Sequence, residues 1–163
     1  MRTLSVDWDH FEEAFVIGSP DARYFLHVHT GEVAYIGPMD GPTVRQRVMT
    51  RVEAEGWVEI PRPSLADALE EIRGFAAAEV DEEVRERLLA ALRDPRPPVA
   101  FNRALGRDRA LRRRWAAWRD RAIAARLVAF CERHDIQPDD PRYGDARRRA
   151  GKASAASGGD SAG

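Results

Sequence analysis

Arginine is concentrated in one stretch of the chain. Residues 93 to 126 carry eleven arginines and three aspartates, a net charge of +8, whereas residues 1 to 92 carry nine arginines and eighteen acids, a net charge of −9. The planar guanidinium group donates forked hydrogen bonds that suit phosphates and carboxylates. Such a stretch is typical either of a surface that binds a polyanion or of a segment that pairs with an acidic part of its own chain.

The arginines recur with helical spacing. Arg112, Arg119 and Arg126 lie seven residues apart on one edge of a predicted helix, and Arg114 and Arg121 line the other edge. We select Arg112, Arg113, Arg119 and Arg126 as candidate contacts to nucleic acid or to an acidic partner. The alternative, which we favour, is that these arginines lay their stems along the core and pair with acids of residues 1 to 92.

Two other pairs have residue types that do chemistry elsewhere. His27 and His29 share one face of a predicted strand, and Cys131 and His134 are neighbours on a predicted helix. Two imidazoles without an acidic or thiol third ligand do not make a metal site, and a thiol–imidazole pair needs an orienting acid and an oxyanion site. We therefore predict no metal, no cofactor and no catalytic residue, and an enzyme is the least supported class.

The composition argues against a membrane-spanning, secreted or disulfide-bonded protein. No apolar run approaches the roughly 18 to 20 residues that a membrane span requires, and Asp7 interrupts the N-terminus before a signal-peptide core can form. The chain has one cysteine, which excludes an internal disulfide. We expect a cytoplasmic protein with no membrane contact and no signal peptide.

The first half of the chain predicts a small antiparallel sheet. Asp7 is a helix N-cap signal followed by aromatic residues at helical spacing. Residues 23 to 29 and 32 to 36 alternate as two strands around the turn Thr30-Gly31. Residues 42 to 54 favour a short helix, and residues 57 to 61 favour a third, edge strand that ends at proline.

The second half predicts about four helices. Ser64 with Asp67 forms a capping box before an apolar stripe of Leu65, Leu69, Ile72, Phe75 and Ala76. Another helix opens at residues 81 to 83, a short one covers 99 to 105, and a long one runs from about 108 to 134. We predict one α+β domain over residues 1 to 138 and a disordered tail of Ala, Ser, Gly and Arg over residues 139 to 163.

The long helix carries an apolar seam. The residues on this line are Leu111, Trp115, Trp118, Ala122, Ala125 and Ala129. We expect them to be buried, with both tryptophans in the core. Ile123, Leu127 and Phe130 lie off this line, so the second half of the helix is predicted to bury another face.

Three runs carry a family resemblance. They are Ala100-Phe101-Asn102-Arg103, Trp115-Ala116-Ala117-Trp118-Arg119-Asp120-Arg121-Ala122 and Cys131-Glu132-Arg133-His134-Asp135-Ile136. Together with the hairpin turn at Thr30 to Val33 and the Ile60-Pro61 step, this pattern resembles uncharacterised protein family 0158, a bacterial group with no assigned activity. The resemblance implies a shared fold over residues 4 to 136 and a structural signature of Phe101, Trp115, Trp118 and Asp120.

The sequence favours a binding role. We predict a non-catalytic cytoplasmic module that interacts with or regulates a protein partner. The alternative is a nucleic-acid-binding protein that uses the arginine-rich helix.

Overall fold

The computed structural model describes the backbone of residues 1–157 and the side chains of residues 1–152. The strands of this part are β1 (Arg2–Leu4), β2 (Arg23–His27), β3 (Val33–Ile36), β4 (Trp57–Glu59) and β5 (Ile136–Pro138). Its helices are α1 (Trp8–Glu13), α2 (Pro42–Val52), α3 (Leu65–Ala78), α4 (Glu82–Ala91), α5 (Pro97–Leu105), α6 (Arg109–Arg133) and α7 (Pro141–Ser157). The predicted α+β class is confirmed.

The chain divides into two compact units. Unit 1 comprises residues 1–62 and 123–163, and unit 2 comprises residues 63–122, so the two parts of α6 belong to different units. The predicted single domain over residues 1 to 138 stays a prediction, because compactness alone does not establish whether a unit folds by itself.

The predicted hairpin and third strand are confirmed in unit 1. The sheet has the order β3-β2-β4 with antiparallel neighbours, and Phe25 pairs with Ala34 on one side and Glu59 on the other. Gly31 closes the hairpin with φ 78°, a left-handed conformation that glycine adopts without strain. The predicted helix before the third strand forms as α2.

The core of unit 1 is aromatic. Asp7 caps α1 as predicted, with its carboxylate accepting from the His10 amide, and the helix then buries Trp8 and Phe11. Phe11 lies 5.2 Å from Phe15 and 6.1 Å from Phe130, measured between ring centroids. The Phe11–Phe15 contact is edge-to-face, a geometry that adds to the gain from apolar burial.

The C-terminal part of unit 1 corrects the tail prediction. Residues 141–157 form α7, which begins at Pro141 and buries Tyr143 and Ala146. The two residues are three apart and share one face, so this segment has something to bury although its composition is polar. The predicted tail residues 158 to 163 lie outside the described residues.

A parallel strand pair was also missed by the sequence analysis. Strand β1 pairs with β5, with Thr3 opposite Gln137, and Leu4 and Ile136 are buried. Each strand has three residues, too few for an alternating pattern to be recognised.

Unit 2 is helical. Ser64 and Asp67 form the predicted capping box of α3. The apolar face of α3 consists of Ala68, Ile72, Phe75 and Ala76, whereas Leu65, predicted to belong to it, is 62% exposed. Leu65 is the first residue of α3, so no preceding helical turn packs against its side chain. Within the described residues, no helix is both long and apolar enough to cross a bilayer.

We expect Gly31→Ala to lower the stability of the protein strongly. A Cβ atom there would lie 2.1 Å from the Ser5 carbonyl oxygen, and alanine disfavours the positive φ. The free energy of unfolding should fall by at least about 2 kcal/mol, measured by urea denaturation.

Gly144→Ala in α7 is the control for Gly31→Ala. Its Cβ would make an ordinary contact of 3.6 Å with the Arg148 guanidinium, so alanine should raise the stability by about 0.5 to 1 kcal/mol through its helix propensity. A loss of stability in this variant would contradict the helix assigned to these residues.

Candidate functional site

An aromatic cluster organises unit 2. The Trp115 ring centroid lies 4.8 Å from that of Phe101 on α5 and 5.2 Å from that of Phe75 on α3. Phe101 and Phe75 are buried, whereas Trp115 is half-buried. Three of the four predicted signature residues, Phe101, Trp115 and Trp118, are thus in or beside one cluster.

Trp118 borders an open groove, which we call the Trp118 groove. It has a volume of about 500 Å³ and is lined chiefly by Phe75, Glu79, Val80, Arg114, Trp118 and Arg121. The Trp118 ring approaches α3 at Gly74, where an added Cβ would lie 3.0 Å from its six-membered ring. The predicted burial of Trp118 is therefore corrected: one side of the indole packs on α3, and the residue is half-buried beside the groove.

The wall of the Trp118 groove includes a charged pair and a stacked cation. Glu79, only 7% exposed, accepts a hydrogen bond of 3.0 Å from the Arg114 guanidinium. The Arg121 guanidinium lies 5.4 Å from the centroid of the Trp118 ring. A cation held over an indole keeps its outward donors available to a ligand.

Val80 is the least expected feature of the groove. It follows α3 and is 93% exposed, although it is β-branched and apolar. The sequence analysis missed Glu79 and Val80, because they lie between two helices where periodicity gives no signal. The sequence analysis placed Arg114 and Arg121 on one edge of the helix, which was the available signal. It chose candidate contacts from the opposite edge instead.

Arg112 is engaged within unit 2. Its guanidinium donates to the Gly106 carbonyl at 2.6 Å and to the carbonyl and side-chain oxygens of Asn102 at 3.2 and 3.1 Å. These carbonyls belong to the C-terminal end of α5, where the last turn has no partners in the helix. Arg112 therefore acts as a side-chain cap of α5.

The other selected residues are not brought together. Arg119 lies over the Trp115 ring at 5.9 Å, and Arg126 donates to the Phe15 carbonyl at 3.2 Å in unit 1. Arg113 and Asp120 are exposed and make no side-chain hydrogen bond or ion pair with the described residues. Of the arginines on the two edges of α6, Arg114 forms an ion pair with an acid of residues 1 to 92, Glu79.

The second part of α6 corrects the predicted seam. Ala129 is exposed, and the buried residues are Ala124, Leu127, Val128, Phe130 and Cys131. Burying large apolar side chains gains more free energy than burying an alanine, so these residues determine the buried face. The second buried face predicted from Leu127 and Phe130 is confirmed.

The histidine pair has a structural explanation. The His27 ring nitrogen accepts from the amides of His29 and Thr30, both at 3.3 Å, and His29 contacts the Arg2 guanidinium. Within the described residues, no three His, Cys, Asp or Glu side chains are grouped so that they could hold a metal ion.

Cys131 lies inside unit 1. Burial raises the pKa of its thiol to about 12, and burial also lowers the pKa of His134, which stacks on Phe130 at 4.5 Å. The nearby Tyr143 hydroxyl also has its pKa raised by burial, to about 12. A thiol in this setting is a poor nucleophile, because the reactive thiolate is disfavoured.

Comparisons with known proteins return no relative. No family model, no curated protein and no solved structure matches this chain. The resemblance to uncharacterised protein family 0158 therefore stays an expectation, carried by the residues quoted for it.

We expect Arg112→Gln to destabilise the protein by about 1 kcal/mol, because it removes hydrogen bonds to carbonyls at the end of α5. The measurement is the midpoint of thermal unfolding. Arg113→Gln, with the same change in charge one residue away, should change stability by less than about 0.5 kcal/mol. Equal effects of the two substitutions would contradict the capping role of Arg112.

We expect Cys131 to resist modification in the native protein. Dithiobisnitrobenzoate at pH 8 should leave the thiol unreacted on the timescale on which a free thiol reacts fully, because the group is buried and protonated. The same protein in denaturant should react to completion. Rapid labelling under native conditions would show that the residue is accessible and ionised.

Proposed function

We propose that this protein is a non-catalytic cytoplasmic interaction module that binds an acidic segment of a protein partner in the Trp118 groove. The observation that carries the proposal is the 93% exposure of Val80 beside the half-buried Trp118. Exposed apolar side chains grouped around a concavity are typical of binding surfaces.

The groove offers an anchor site. Phe75 and Trp118 provide aromatic surface, and Val80 adds an aliphatic side chain at the edge. A volume of about 500 Å³ accommodates one or two apolar side chains of a partner segment. Binding interfaces commonly gain most of their free energy from a few such anchors, with polar contacts around them.

The charges favour an acidic partner. Arg114 and Arg121 contribute two positive charges to the lining and Glu79 one negative charge, so the groove is net positive. Glu79 binds one nitrogen of Arg114, and that side chain is about half exposed, so further donors face solvent. Carboxylates that flank an apolar anchor would pair with both guanidinium groups.

The same geometry supports a protein partner over a nucleic acid. An apolar floor contributes affinity that survives added salt, whereas binding through phosphates weakens steeply as salt is raised. Of the four arginines selected from sequence, Arg112 and Arg119 are engaged within unit 2 and Arg126 within unit 1.

The proposal is tested by site-specific photocrosslinking. A benzophenone amino acid placed at Val80 should capture a partner in the native cell, and the crosslinked segment should contain acidic residues around an apolar one. The Trp118→Ala substitution should reduce this capture by at least about fivefold, because it removes an anchor of the size that dominates interfaces.

Met39 is the matched control position. It is as exposed as Val80, at 94%, and lies in unit 1. The same benzophenone there should not capture the partner found at Val80. Equal capture at both positions, a basic segment, or a nucleic acid at Val80 would each overturn the proposal.

A further inference from the structure

A second concave surface of unit 2 is formed by α4, α5 and the turn between them. We call it the α4–α5 basin. It has a volume of about 620 Å³, and its charged lining consists of Arg87, Arg93, Arg103 and Asp94. The rest of the lining is Pro95 and four alanines, so the apolar side chains of the floor are small.

The three arginines of the basin make no ion pair with the described residues, although the charge of Arg87 contributes to lowering the pKa of Asp108. Within the described residues, none of Arg87, Arg93 and Arg103 has a carboxylate within ion-pair distance. Asp94, the one acid of the lining, accepts the Arg96 amide at 2.8 Å, which engages one of its oxygens. The basin therefore carries a net charge of +2 that no ion pair neutralises.

One of the three arginines is held in place. The Arg87 Nε donates to the Ala104 carbonyl at 3.0 Å, a bond that joins α4 to the last turn of α5. Its two terminal nitrogens make no hydrogen bond with the described residues. A guanidinium held through Nε is already oriented, so less side-chain entropy is lost when an anion binds.

We propose that the α4–α5 basin binds a diphosphate group of a small ligand. Three guanidinium groups offer forked donors to adjacent phosphates, and a basin of this volume lies in the usual range of small-ligand sites. Aromatic side chains that could stack on a base do not occur among its described lining residues, so the ligand is held by its phosphates. This inference is independent of the Trp118 groove.

The structure also explains why the sequence analysis selected other arginines. Arg112 and Arg119, selected for their spacing on one helix, use their guanidinium groups within unit 2. The arginines that line the basin come from α4, the turn after it and α5, and they are not periodic along the chain.

The test uses the full chain and inorganic pyrophosphate in isothermal titration calorimetry at low ionic strength. We expect saturable binding with one site per chain. Arg93→Gln and Arg103→Gln should each weaken it by about fivefold to tenfold, because each removes a charge-assisted hydrogen bond. Neither side chain makes a hydrogen bond within the described residues, so both variants should fold like the native protein.

Arg113→Gln is the control for unspecific charge. It changes the charge of unit 2 by the same amount from outside the basin, and binding should weaken by less than about twofold. Equal weakening in all three variants, or no saturable binding of pyrophosphate, would overturn the proposal. The proposal would also be overturned if a single-stranded oligonucleotide bound more tightly than pyrophosphate and Arg113→Gln weakened this binding as much as Arg93→Gln. The arginines would then belong to a broad surface that binds nucleic acid.

Discussion

The packing of Trp115 between Phe101 and Phe75 is the interaction on which unit 2 depends. It joins α6 to α5 and α3 through ring centroids 4.8 and 5.2 Å apart, and Leu111 is fully buried one turn earlier. With Trp115 fixed, Trp118 lies three residues further along the same helix. Its ring is edge-on to Phe75 of α3 at 6.0 Å between centroids, and an added Cβ at Gly74 would lie 3.0 Å from it. The half-buried Trp118 and the groove beside it are therefore consequences of this packing.

The arginines of α6 described here contact mainly backbone carbonyls and tryptophan rings rather than carboxylates. Arg112 binds carbonyls at the end of α5, and Arg119 and Arg121 lie over tryptophan rings, whereas Arg114 has a carboxylate partner in Glu79. Carbonyls and ring faces orient a guanidinium but do not cancel its charge. Unit 2 therefore keeps positive charge at its surface even where its arginines are ordered, which is why both of its concave surfaces suit anionic groups.

The sequence predicted the elements whose signals are local. The caps at Asp7 and Ser64, the turn at Gly31 and the third strand depend on residues close together in the chain, and the structure confirms them. It did not predict the β1–β5 pair, which joins segments more than 130 residues apart, nor α7, whose buried face has few apolar residues. The candidate sites could not be predicted from the sequence for the same reason. The role of Val80 follows from its exposure in the folded chain, and the three arginines line one basin only when α4 packs on α5.

The two proposed binding surfaces of unit 2 fit ligands of different chemistry, although arginine lines both. In the Trp118 groove the guanidinium groups surround aromatic and aliphatic side chains, so an ion alone would leave the apolar lining exposed to water. In the α4–α5 basin the floor is alanine and proline, so a ligand gains little from apolar contact and must be held by charge. Affinity in the groove should therefore depend on the shape of the anchor residue, whereas affinity in the basin should follow the charge of the ligand and fall with ionic strength.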